Sequence, residues 1–409
     1  MNGERLHIAL VGPLHPRALA HHLDATANMP GGPPTPVNEL AEGLLALGHR
    51  VSIYTSSPEV GTTVRLGGEY LDITVIPSRA RARARALDFF RSERRELERE
   101  LKNSAADIIH AHWTYEFALA AIKSGKKPLL ITAHDAPLTI LRHMPDAYRL
   151  IRTAMAIRVR VSIQELTAVS PYLAHRWRRE MLYRRPISVI ANTVPGLPPA
   201  APAIERGKWV ILDVADGSRR KNVRTLLRAF ATVVKKYPQA QLRLVGPGLA
   251  AEDPIAEWAS SRGLDANVAF VGPVDRAHIA SEYARASVFC HASREESQGV
   301  AILEALDAGL VVIGGAQSGA VPWTLFDGRA GILVDVNRTS AIADGIVEAF
   351  AWVARDYSPD PELTRVIKAR FGRDAFIGGY ISVYRRLIAE AKTSITRDAM
   401  SRYDGPASG

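Results

Sequence analysis

Short apolar runs alternate along the chain with longer stretches in which apolar residues recur every three or four positions. The short runs predict buried strands, and the longer stretches predict amphipathic helices. Strands predicted in the first half lie at residues 8–11, 51–54, 73–76, 108–110, 129–132, 165–168 and 188–190. Those predicted in the second half lie at residues 209–212, 242–245, 268–271, 287–290, 311–313 and 331–334. This alternation is typical of βαβ units with parallel sheets, so the predicted fold class is α/β.

The two halves are separated by a proline-rich stretch. Residues 195–202 read Pro-Gly-Leu-Pro-Pro-Ala-Ala-Pro, a composition typical of a linker between domains. The length of 409 residues also exceeds what one hydrophobic core usually supports. We therefore predict two doubly wound domains, at residues 1–195 and 196–370, facing a common cleft. Ligands of such sheets bind beyond the carboxyl ends of the strands, so chemistry is expected in the loops that follow strands.

Cysteine usage and hydropathy limit the cellular compartments in which this protein is expected. Cys290 is the only cysteine, which excludes an internal disulfide and fits a reducing environment, and its apolar neighbours predict a buried structural thiol. No stretch reaches the roughly 18 to 20 apolar residues of a membrane-spanning helix. Residues 6–12 read as a buried strand and a glycine turn rather than as a signal peptide. We therefore expect a cytoplasmic protein.

The formal net charge of +10 and the pI of about 9.8 favour a negatively charged partner. Nucleic acid, anionic lipid and a nucleotide diphosphate all qualify, although no aromatic interleaving accompanies the basic residues, so nucleic acid is not expected. Arginine-rich residues 78–85 open a predicted helix at residues 79–102. That helix could rest peripherally on an anionic membrane, or it could be a solvated face of Arg/Glu pairs.

Residues 293–309 carry the sharpest chemical signal. They follow a predicted strand, their apolar residues have helical spacing, and Gly309 is placed to close the helix. The backbone amides of Gln298, Gly299 and Val300 would then point from the N-terminus of a helix. That position stabilises a phosphate through free donors and the helix dipole.

Two glutamates, Glu296 and Glu304, accompany this predicted phosphate site. Carboxylates are poor phosphate ligands but good acceptors for sugar hydroxyls. Their spacing, with seven residues between them, resembles the E-x7-E motif of the retaining family-4 glycosyltransferases, as do the small-residue lead-in and the Glu-Ala-Leu helix that ends in Ala-Gly. The resemblance implies a GT-B fold of two facing Rossmann-like domains, with Glu296 at the transferred sugar and Glu304 at the ribose. The alternative is a pair of surface glutamates that flank an ordinary helix.

A basic turn precedes the first helix of the second domain. Lys221 resembles the family lysine that neutralises the donor's diphosphate, and Gly217 and Ser218 belong to the same turn. The family arginine about five residues earlier is replaced by an aspartate, which leaves Arg219 and Arg220 as candidates to substitute for it. The alternative is a solvated basic turn.

Weaker matches extend the resemblance over about residues 6 to 390. Val271 ends a strand that in the family lies near the nucleobase, and Gly31 and Gly32 resemble the glycine loop that closes over the donor, although a plain helix-entry turn is equally compatible. Trp323 stands where the family has a glutamate, so that contact cannot be transferred. Residues 371–409 resemble the family's closing helices, which pack back on the first domain, and we expect a frayed polar tail.

Three histidines lie at or near strand ends of the first domain. His110 and His112 share one face of a strand by the alternation of side chains, and His134 ends the next strand. The resemblance implies that His112 faces the reacting sugar and that His134 lines the same cleft. Alternatives are core histidines with satisfied hydrogen bonds or metal ligands, but no cysteine or carboxylate cluster lies nearby in sequence to complete a metal site.

The expected activity is transfer of a hexose-like sugar from a nucleoside-diphosphate sugar to an acceptor hydroxyl of a glycolipid, polysaccharide or small glycoside. The resemblance implies retention of configuration without a metal or cofactor, with the departing phosphate taking the acceptor's proton. The alternatives are a nucleotide-sugar epimerase, a sugar phosphorylase and a catalytically silent nucleotide-sugar-binding protein. An NAD-dependent dehydrogenase is disfavoured, because no G-x-G-x-x-G opens the first helix of either domain.

Overall fold

The computed structural model describes residues 4–24, 29–30, 35–126, 128–194, 196, 209–355 and 361–403. For residue 82 and residues 394–403 it describes the backbone only. The chain divides into two compact units. The first unit comprises residues 1–169, 174–190 and 373–409, and the second comprises residues 170–173 and 191–372. The predicted linker and the predicted glycine loop with Gly31 and Gly32 lie outside the described residues, apart from Gly196 of the linker.

The first unit is built on a single sheet with strand order β3-β4-β2-β1-β5-β6-β7-β8. Its strands are β1 (His7–Val11), β2 (Arg50–Ser57), β3 (Val64–Gly67), β4 (Leu71–Pro77), β5 (Ile108–His112), β6 (Leu129–Ala133), β7 (Leu166–Ala168) and β8 (Ile187–Val189). Its helices are α1 (Pro36–Ala46), α2 (Ala82–Leu87), α3 (Arg91–Lys102), α4 (Glu116–Ser124), α5 (Pro137–His143), α6 (Ala147–Ser162) and, from residue 174 onward, α7 (Pro171–Glu180), together with a 3₁₀ helix at Pro16–His22. Every strand pairing is parallel except that of β3 with β4.

Strand β3 was not predicted from the sequence. It is an antiparallel edge strand of four residues, and none of its residues is fully buried. The other strands of this sheet were found because buried parallel strands leave near-continuous apolar runs, which an edge strand lacks.

The second unit holds a parallel sheet with strand order β11-β10-β9-β12-β13-β14. Its strands are β9 (Val210–Val214), β10 (Gln241–Val245), β11 (Val268–Gly272), β12 (Val288–His291), β13 (Val311–Gly315) and β14 (Ile332–Val334). Its helices are α8 (Val223–Lys236), α9 (Pro254–Ser260), α10 (Arg276–Arg285), α11 (Val300–Asp307), α12 (Val321–Thr324), α13 (Thr339–Ala354) and α14 (Pro361–Phe371), with a 3₁₀ turn at Phe326–Gly328. Cys290 is buried in β12 as a free thiol, as predicted.

The last helix, α15 (Arg373–Tyr403), belongs to the first unit. Ile377 on α15 lies so close to Gly43 on α1 that a Cβ atom at position 43 would meet its side chain at 2.2 Å. Tyr384 reaches the sheet, where its hydroxyl lies 2.7 Å from Nδ1 of His110. Gly43 therefore allows α1 and α15 to approach closely, and the buried tyrosine fixes the helix to β5.

The basic segment is not the single helix predicted at residues 79–102. Phe89 and Phe90 both adopt positive φ angles, near 57° and 56°, which separates α2 from α3. The break turns Phe90 into the core and leaves Leu87 81% exposed. Arg79 pairs with Asp88 and with the buried Glu93, so part of the arginine run is neutralised within the fold.

Candidate active site

The carboxyl edge of the second sheet carries a buried chain of ionisable side chains. Asp213 lies on β9, and His291 ends the neighbouring strand β12. His291 contacts two carboxylates, with Nδ1 3.0 Å from Oδ1 of Asp213 and Nε2 2.9 Å from Oε1 of Glu296. All three side chains are buried. A buried imidazole between two carboxylates is stabilised in its protonated form, because both ring N–H groups then donate to an anion.

The backbone of Glu296 is fixed by a close approach to Gly319. The two residues form a parallel bridge, and the amide of Ala320 donates to the carbonyl of Glu296 at 2.9 Å. Gly319 has φ +66°, and a Cβ atom there would lie 2.4 Å from the Glu296 carbonyl oxygen. Only glycine fits this position without displacing the backbone that carries the Glu296 side chain.

Two cations also contact Glu296. Nζ of Lys221 donates to Oε1 of Glu296 at 2.6 Å, and Nη1 of Arg220 lies 3.4 Å from the same oxygen. Burial by itself would raise the pKa of Glu296, but Lys221, His291 and Arg220 outweigh it and hold the pKa well below its usual range. Burial and Lys221 lower the pKa of His291, whereas hydrogen bonds to Asp213 and Glu296 raise it, and the net direction is upward. Glu296 is therefore a carboxylate throughout the neutral range.

Hydrogen bonds from neighbouring side chains stabilise the turn that carries Arg220 and Lys221. Asn222 adopts a positive φ of 61° at the start of α8, and its buried amide donates to the carbonyls of Ala292 and Val336 at 3.2 and 2.8 Å. The Asp216 carboxylate accepts a hydrogen bond from the amide of Ser218 at 2.9 Å and so closes the turn. Asp216, which stands where the family has an arginine, thus stabilises the turn.

The two adjacent arginines of the turn differ in position. Arg220 is largely buried, and its Nη1 donates to the carbonyl of Glu295 at 2.6 Å beside Glu296. Arg219 is exposed, and its carbonyl accepts a hydrogen bond from Arg294. Of the two candidates left by the sequence, Arg220 is therefore the one beside Lys221 and Glu296. Gly217 packs against Gly248, where a Cβ atom would lie 2.8 Å from the Gly248 carbonyl oxygen.

Glu304 lies in α11 and has a different environment from Glu296. Arg276 donates to its Oε1 at 3.1 Å, and the hydroxyl of Tyr283 donates to its Oε2 at 2.9 Å. Burial raises the pKa of Glu304, and Arg276 and Tyr283 only partly offset this effect. The two glutamates of the predicted motif therefore differ in their preferred charge state. The fold favours the charged form of Glu296 and disfavours that of Glu304.

The N-terminus of α11 offers backbone donors. In the part of the chain that the structure describes, the amides of Gln298, Gly299 and Val300 donate no backbone hydrogen bond. Gly299 precedes the helix with φ +84°. The Gln298 side chain is buried and exchanges two hydrogen bonds with the main chain of Asn192, at 2.7 and 2.9 Å. The Gln298 side chain thus has a structural role, while its backbone amide has no backbone acceptor among the described residues. Val271 is half-buried on β11.

The predicted histidines of the first unit lie together at the carboxyl ends of β5 and β6. Nδ1 of His112 lies 3.0 Å from Nε2 of His134, and the ring of Trp113 stacks on His134 with centroids 4.2 Å apart. Burial and the neighbouring imidazoles hold the pKa of His112 well below its usual value, and burial lowers the pKa of His134 to about 3, so both rings are neutral. Nε2 of His112 is buried without a hydrogen-bond partner among the described residues.

His110 lies on the same face as His112, as the alternation predicted, with ring centroids 4.0 Å apart. Both of its ring nitrogens are occupied, by Tyr384 and by Thr132 at 2.7 Å each. His110 is therefore a core histidine, whereas His112 keeps one nitrogen available.

Family profiles match both halves of the chain. Residues 30–195 match the family described as Glycosyltransferase Family 4, and residues 199–351 match Glycosyl transferases group 1. The chain belongs to the family-4 glycosyltransferases. It is similar to the phosphatidyl-myo-inositol mannosyltransferase of Mycolicibacterium smegmatis, with 28% identity over 345 residues that cover 80% of this chain and 82% of that protein. A shorter match, 36% identical over 132 residues, joins 31% of this chain to 29% of the D-inositol 3-phosphate glycosyltransferase of Corynebacterium kroppenstedtii.

Solved glycosyltransferase structures confirm the GT-B fold class predicted from the sequence. Sucrose-phosphate synthase from Thermosynechococcus elongatus superimposes with a TM-score of 0.73 at 21% identity, over 94% of this chain and 100% of that one. The Anabaena protein HepE in complex with UDP gives a TM-score of 0.64 at 18% identity, over 93% of this chain and 100% of that one. At these identities the likeness establishes the fold alone.

Four side chains of this glycosyltransferase site were missed in the sequence: Asp213, Tyr283, Arg276 and His291. Asp213 had a visible signal, because it is a carboxylate inside an otherwise apolar strand. His291 was missed because the predicted strand at residues 287–290 ended one residue before it. Arg276 and Tyr283 lie on α10, whose link to Glu304 has no signature in sequence spacing.

Proposed function

We propose that this glycosyltransferase takes a hexose-like sugar from a nucleoside diphosphate and transfers it, with retention of configuration, to an acceptor hydroxyl. The observation that carries the proposal is the 2.6 Å contact between Lys221 and Glu296 at the carboxyl edge of the second sheet. A lysine at this position can stabilise a diphosphate leaving group, and a fixed carboxylate can accept hydrogen bonds from a sugar hydroxyl. One site thus offers a cation for the leaving group and an anion for the sugar.

The donor's diphosphate would lie between the cations Arg220 and Lys221 and the amides that open α11. The positive end of a helix and unoccupied amides stabilise phosphate oxygens. Glu304, which Tyr283 and Arg276 hold in place, would accept hydrogen bonds from the ribose hydroxyls. Val271 would contribute an apolar contact near the base.

For the transfer itself, we propose that the bond between the anomeric carbon and the phosphate oxygen breaks while the acceptor oxygen bonds to the same face of the sugar. The acceptor's proton passes to the departing phosphate oxygen, so no side chain forms a covalent intermediate. His112, neutral and with Nε2 available, would accept a hydrogen bond from a sugar hydroxyl, and His134 holds its ring through Nδ1. Detection of a trapped glycosyl-enzyme adduct would contradict this step.

The test is a donor screen without added metal. Purified protein is incubated with a panel of nucleotide sugars, and thermal shift and released nucleotide are measured, followed by acceptors headed by inositol phosphate and phosphatidylinositol, the compounds in the names of its relatives. We expect one donor to stabilise the protein and to be turned over slowly, with turnover lost in Glu296→Gln. Glu252→Gln, an exposed carboxylate of the same unit, is the matched control and should behave as the wild type.

Other outcomes point to the other enzymes of this fold. Donor consumption that requires inorganic phosphate would indicate a phosphorylase, and an altered sugar that stays on the nucleotide would indicate an epimerase. Donor binding without turnover for every acceptor would indicate a silent binding protein.

We also propose that the first unit contacts an anionic membrane surface. Three large apolar side chains, Leu150, Ile157 and Val161, are 59%, 48% and 69% exposed and follow one face of α6 at spacings of seven and four residues. The same helix carries Arg158, which is exposed, and Arg160, which is half-buried, and basic residues beside exposed apolar ones are typical of surfaces that rest on anionic lipid. No helix in the described ranges is long and apolar enough to cross a membrane.

Vesicle sedimentation tests the membrane proposal. Vesicles of phosphatidylglycerol should bind the protein, neutral phosphatidylcholine vesicles should not, and the double variant Ile157→Ser/Val161→Ser should bind less at unchanged thermal stability. Equal binding to both kinds of vesicle, or no binding to either, would contradict the proposal.

A further inference from the structure

A second cluster of titratable side chains lies in the first unit, away from the histidines of the proposed transfer site. His21 and His22 end the 3₁₀ helix that follows β1, and Glu42 lies on α1. An adjoining cavity of about 270 Å³ reaches Leu71, the first residue of β4. His112, by contrast, is the last residue of β5. In a parallel sheet the first residue of one strand and the last residue of another lie at opposite edges, so the two sites are separate.

Both imidazoles of this cluster turn Nε2 toward the same carboxylate. Nε2 of His22 lies 3.2 and 3.1 Å from the two carboxylate oxygens of Glu42, and Nε2 of His21 lies 3.4 Å from each of them. One candidate ligand atom from each residue can be chosen so that all three lie within 4.8 Å of one another. Ligand atoms bound to zinc at its usual bond lengths are about 3.3 Å apart in a tetrahedral site. The spacing from each imidazole to the carboxylate therefore fits the edges of a zinc tetrahedron.

Hydrogen bonding alone gives a poorer account of this arrangement. A neutral ring N–H donates best along one line to one oxygen, yet each Nε2 here is nearly equidistant from both oxygens of Glu42. The rings of His21 and His22 are also only 4.1 Å apart between centroids. Two imidazoles at that distance can each turn one ring nitrogen toward a single cation.

The histidine pair is fixed to the sheet. The amide of Asp24 donates to the carbonyl of Gly67 at 2.9 Å. The carbonyl of His22 lies so close to Gly68 that a Cβ atom there would be 2.0 Å from its oxygen. The turn between β3 and β4 therefore holds the end of the 3₁₀ helix, while Glu42 is carried by α1. A site whose ligands are already in place loses less entropy when it binds a metal.

We propose that His21, His22 and Glu42 bind one divalent transition-metal ion of the zinc type, with water in the remaining position on the side of the cavity. Two imidazoles and one carboxylate are ligands that zinc accepts, whereas Mg²⁺ and Ca²⁺ prefer oxygen ligands. The ion joins the 3₁₀ helix to α1 and is structural in effect. The site takes no part in the transfer reaction and does not depend on it.

The experiment uses the full chain without a histidine tag, stripped of metal with a chelator. Zn²⁺ is titrated by calorimetry, Co²⁺ is titrated as a spectroscopic probe of coordination, and the thermal midpoint is followed in parallel. His22→Ala and Glu42→Gln remove one ligand each. His278→Ala is the matched control, because His278 is an exposed histidine paired with one carboxylate, Asp275, and has no third candidate ligand nearby within the described ranges.

We expect one equivalent of Zn²⁺ to bind and to raise the thermal midpoint, excess Mg²⁺ not to compete, and each ligand variant to bind at least about tenfold more weakly. His278→Ala should bind Zn²⁺ as the wild type does. Absence of binding by the wild type, full binding by both ligand variants, or an equal loss in His278→Ala would overturn the proposal. Circular dichroism of the metal-free variants shows whether a loss of binding reflects the removed ligand or loss of the fold.

Discussion

Nε2 of His291 lies 2.9 Å from Oε1 of Glu296, and both side chains are buried. The opposite ring nitrogen lies 3.0 Å from Asp213, which is fully buried. The imidazole thus holds the glutamate proposed to contact the sugar and also contacts a second buried carboxylate. We propose that His291 acts on the reaction through Glu296, as a positioning residue.

Replacing His291 should therefore impair both stability and turnover. His291→Asn keeps at most one of the two contacts and leaves a buried carboxylate unpaired, a type of change that costs about 3 kcal/mol. We expect a lower thermal midpoint and a kcat reduced about tenfold or more, with the donor KM changed less, because the position of Glu296 matters most in the transition state. His278→Asn, an exposed histidine, should change neither. An unaltered kcat in His291→Asn would remove the positioning role.

The stability effect of His291 should depend on pH. The folded protein raises the pKa of this ring above its ordinary 6.5, against burial and Lys221, through the hydrogen bonds to Asp213 and Glu296. Protonation in the folded state therefore adds stability that is fully present below about pH 6.5 and is lost as pH rises through the raised value. The difference in thermal midpoint between wild type and His291→Asn should shrink above pH 6.5. A constant difference from about pH 6 to pH 9 would show that the ring is not charged.

The two glutamates of the motif should respond oppositely to amide substitution. The pKa of Glu296 is lowered, against burial, by Lys221, His291 and Arg220, so its charged form stabilises the fold above its ordinary 4.5. Burial raises the pKa of Glu304, so its charged form destabilises the fold. At pH 8, Glu296→Gln should lower the thermal midpoint, whereas Glu304→Gln should leave it unchanged or raise it. Both should reduce turnover, Glu304→Gln mainly through the donor KM. A lower midpoint for Glu304→Gln alone would contradict this assignment.

The neighbouring arginines of the basic turn provide a matched pair. Arg220→Ala removes a buried cation beside Glu296 and the diphosphate position, so kcat/KM for the donor should fall about 10²- to 10³-fold, the usual effect of losing one stabilising donor. Arg219→Ala alters an exposed side chain and should change kcat/KM less than about threefold. Steady-state kinetics with a saturating acceptor measures both. Equal losses in the two variants would indicate a general effect of charge.

Alanine substitutions at Gly319 and Gly328 distinguish the effect of backbone strain from the effect of displacing Glu296. Both have positive φ, +66° and +95°, so alanine is strained at either position by about 1–2 kcal/mol. At Gly319 the added Cβ also meets the Glu296 carbonyl at 2.4 Å, whereas at Gly328 the nearest atom is 3.8 Å away. Gly319→Ala should therefore lose much more turnover than Gly328→Ala at a comparable loss of thermal stability. Similar turnover in both variants would show that the Glu296 backbone tolerates the shift.

The sequence by itself determined the fold class, the positions of nearly all strands and the loops that hold the candidate chemistry. It could do so because buried parallel strands and amphipathic helices leave continuous or periodic apolar patterns. The strand ends at His112 and His134 and the loop at Glu296 followed directly from those patterns. The edge strand β3 and the break at Phe89 and Phe90 leave no such pattern, since one is half-exposed and the other rests on two positive φ angles.

Only the tertiary structure decided which side chains act together. Asp213, His291 and Glu296 come from two strands and a loop, and their hydrogen bonds span up to 78 residues of sequence. The choice between Arg219 and Arg220, and the opposite pKa shifts of Glu296 and Glu304, likewise depend on burial and on partners distant in the chain. Local sequence patterns indicate which face of a helix or strand is buried. The charge states and contacts of the side chains on that face depend on the residues that pack against it in the folded protein.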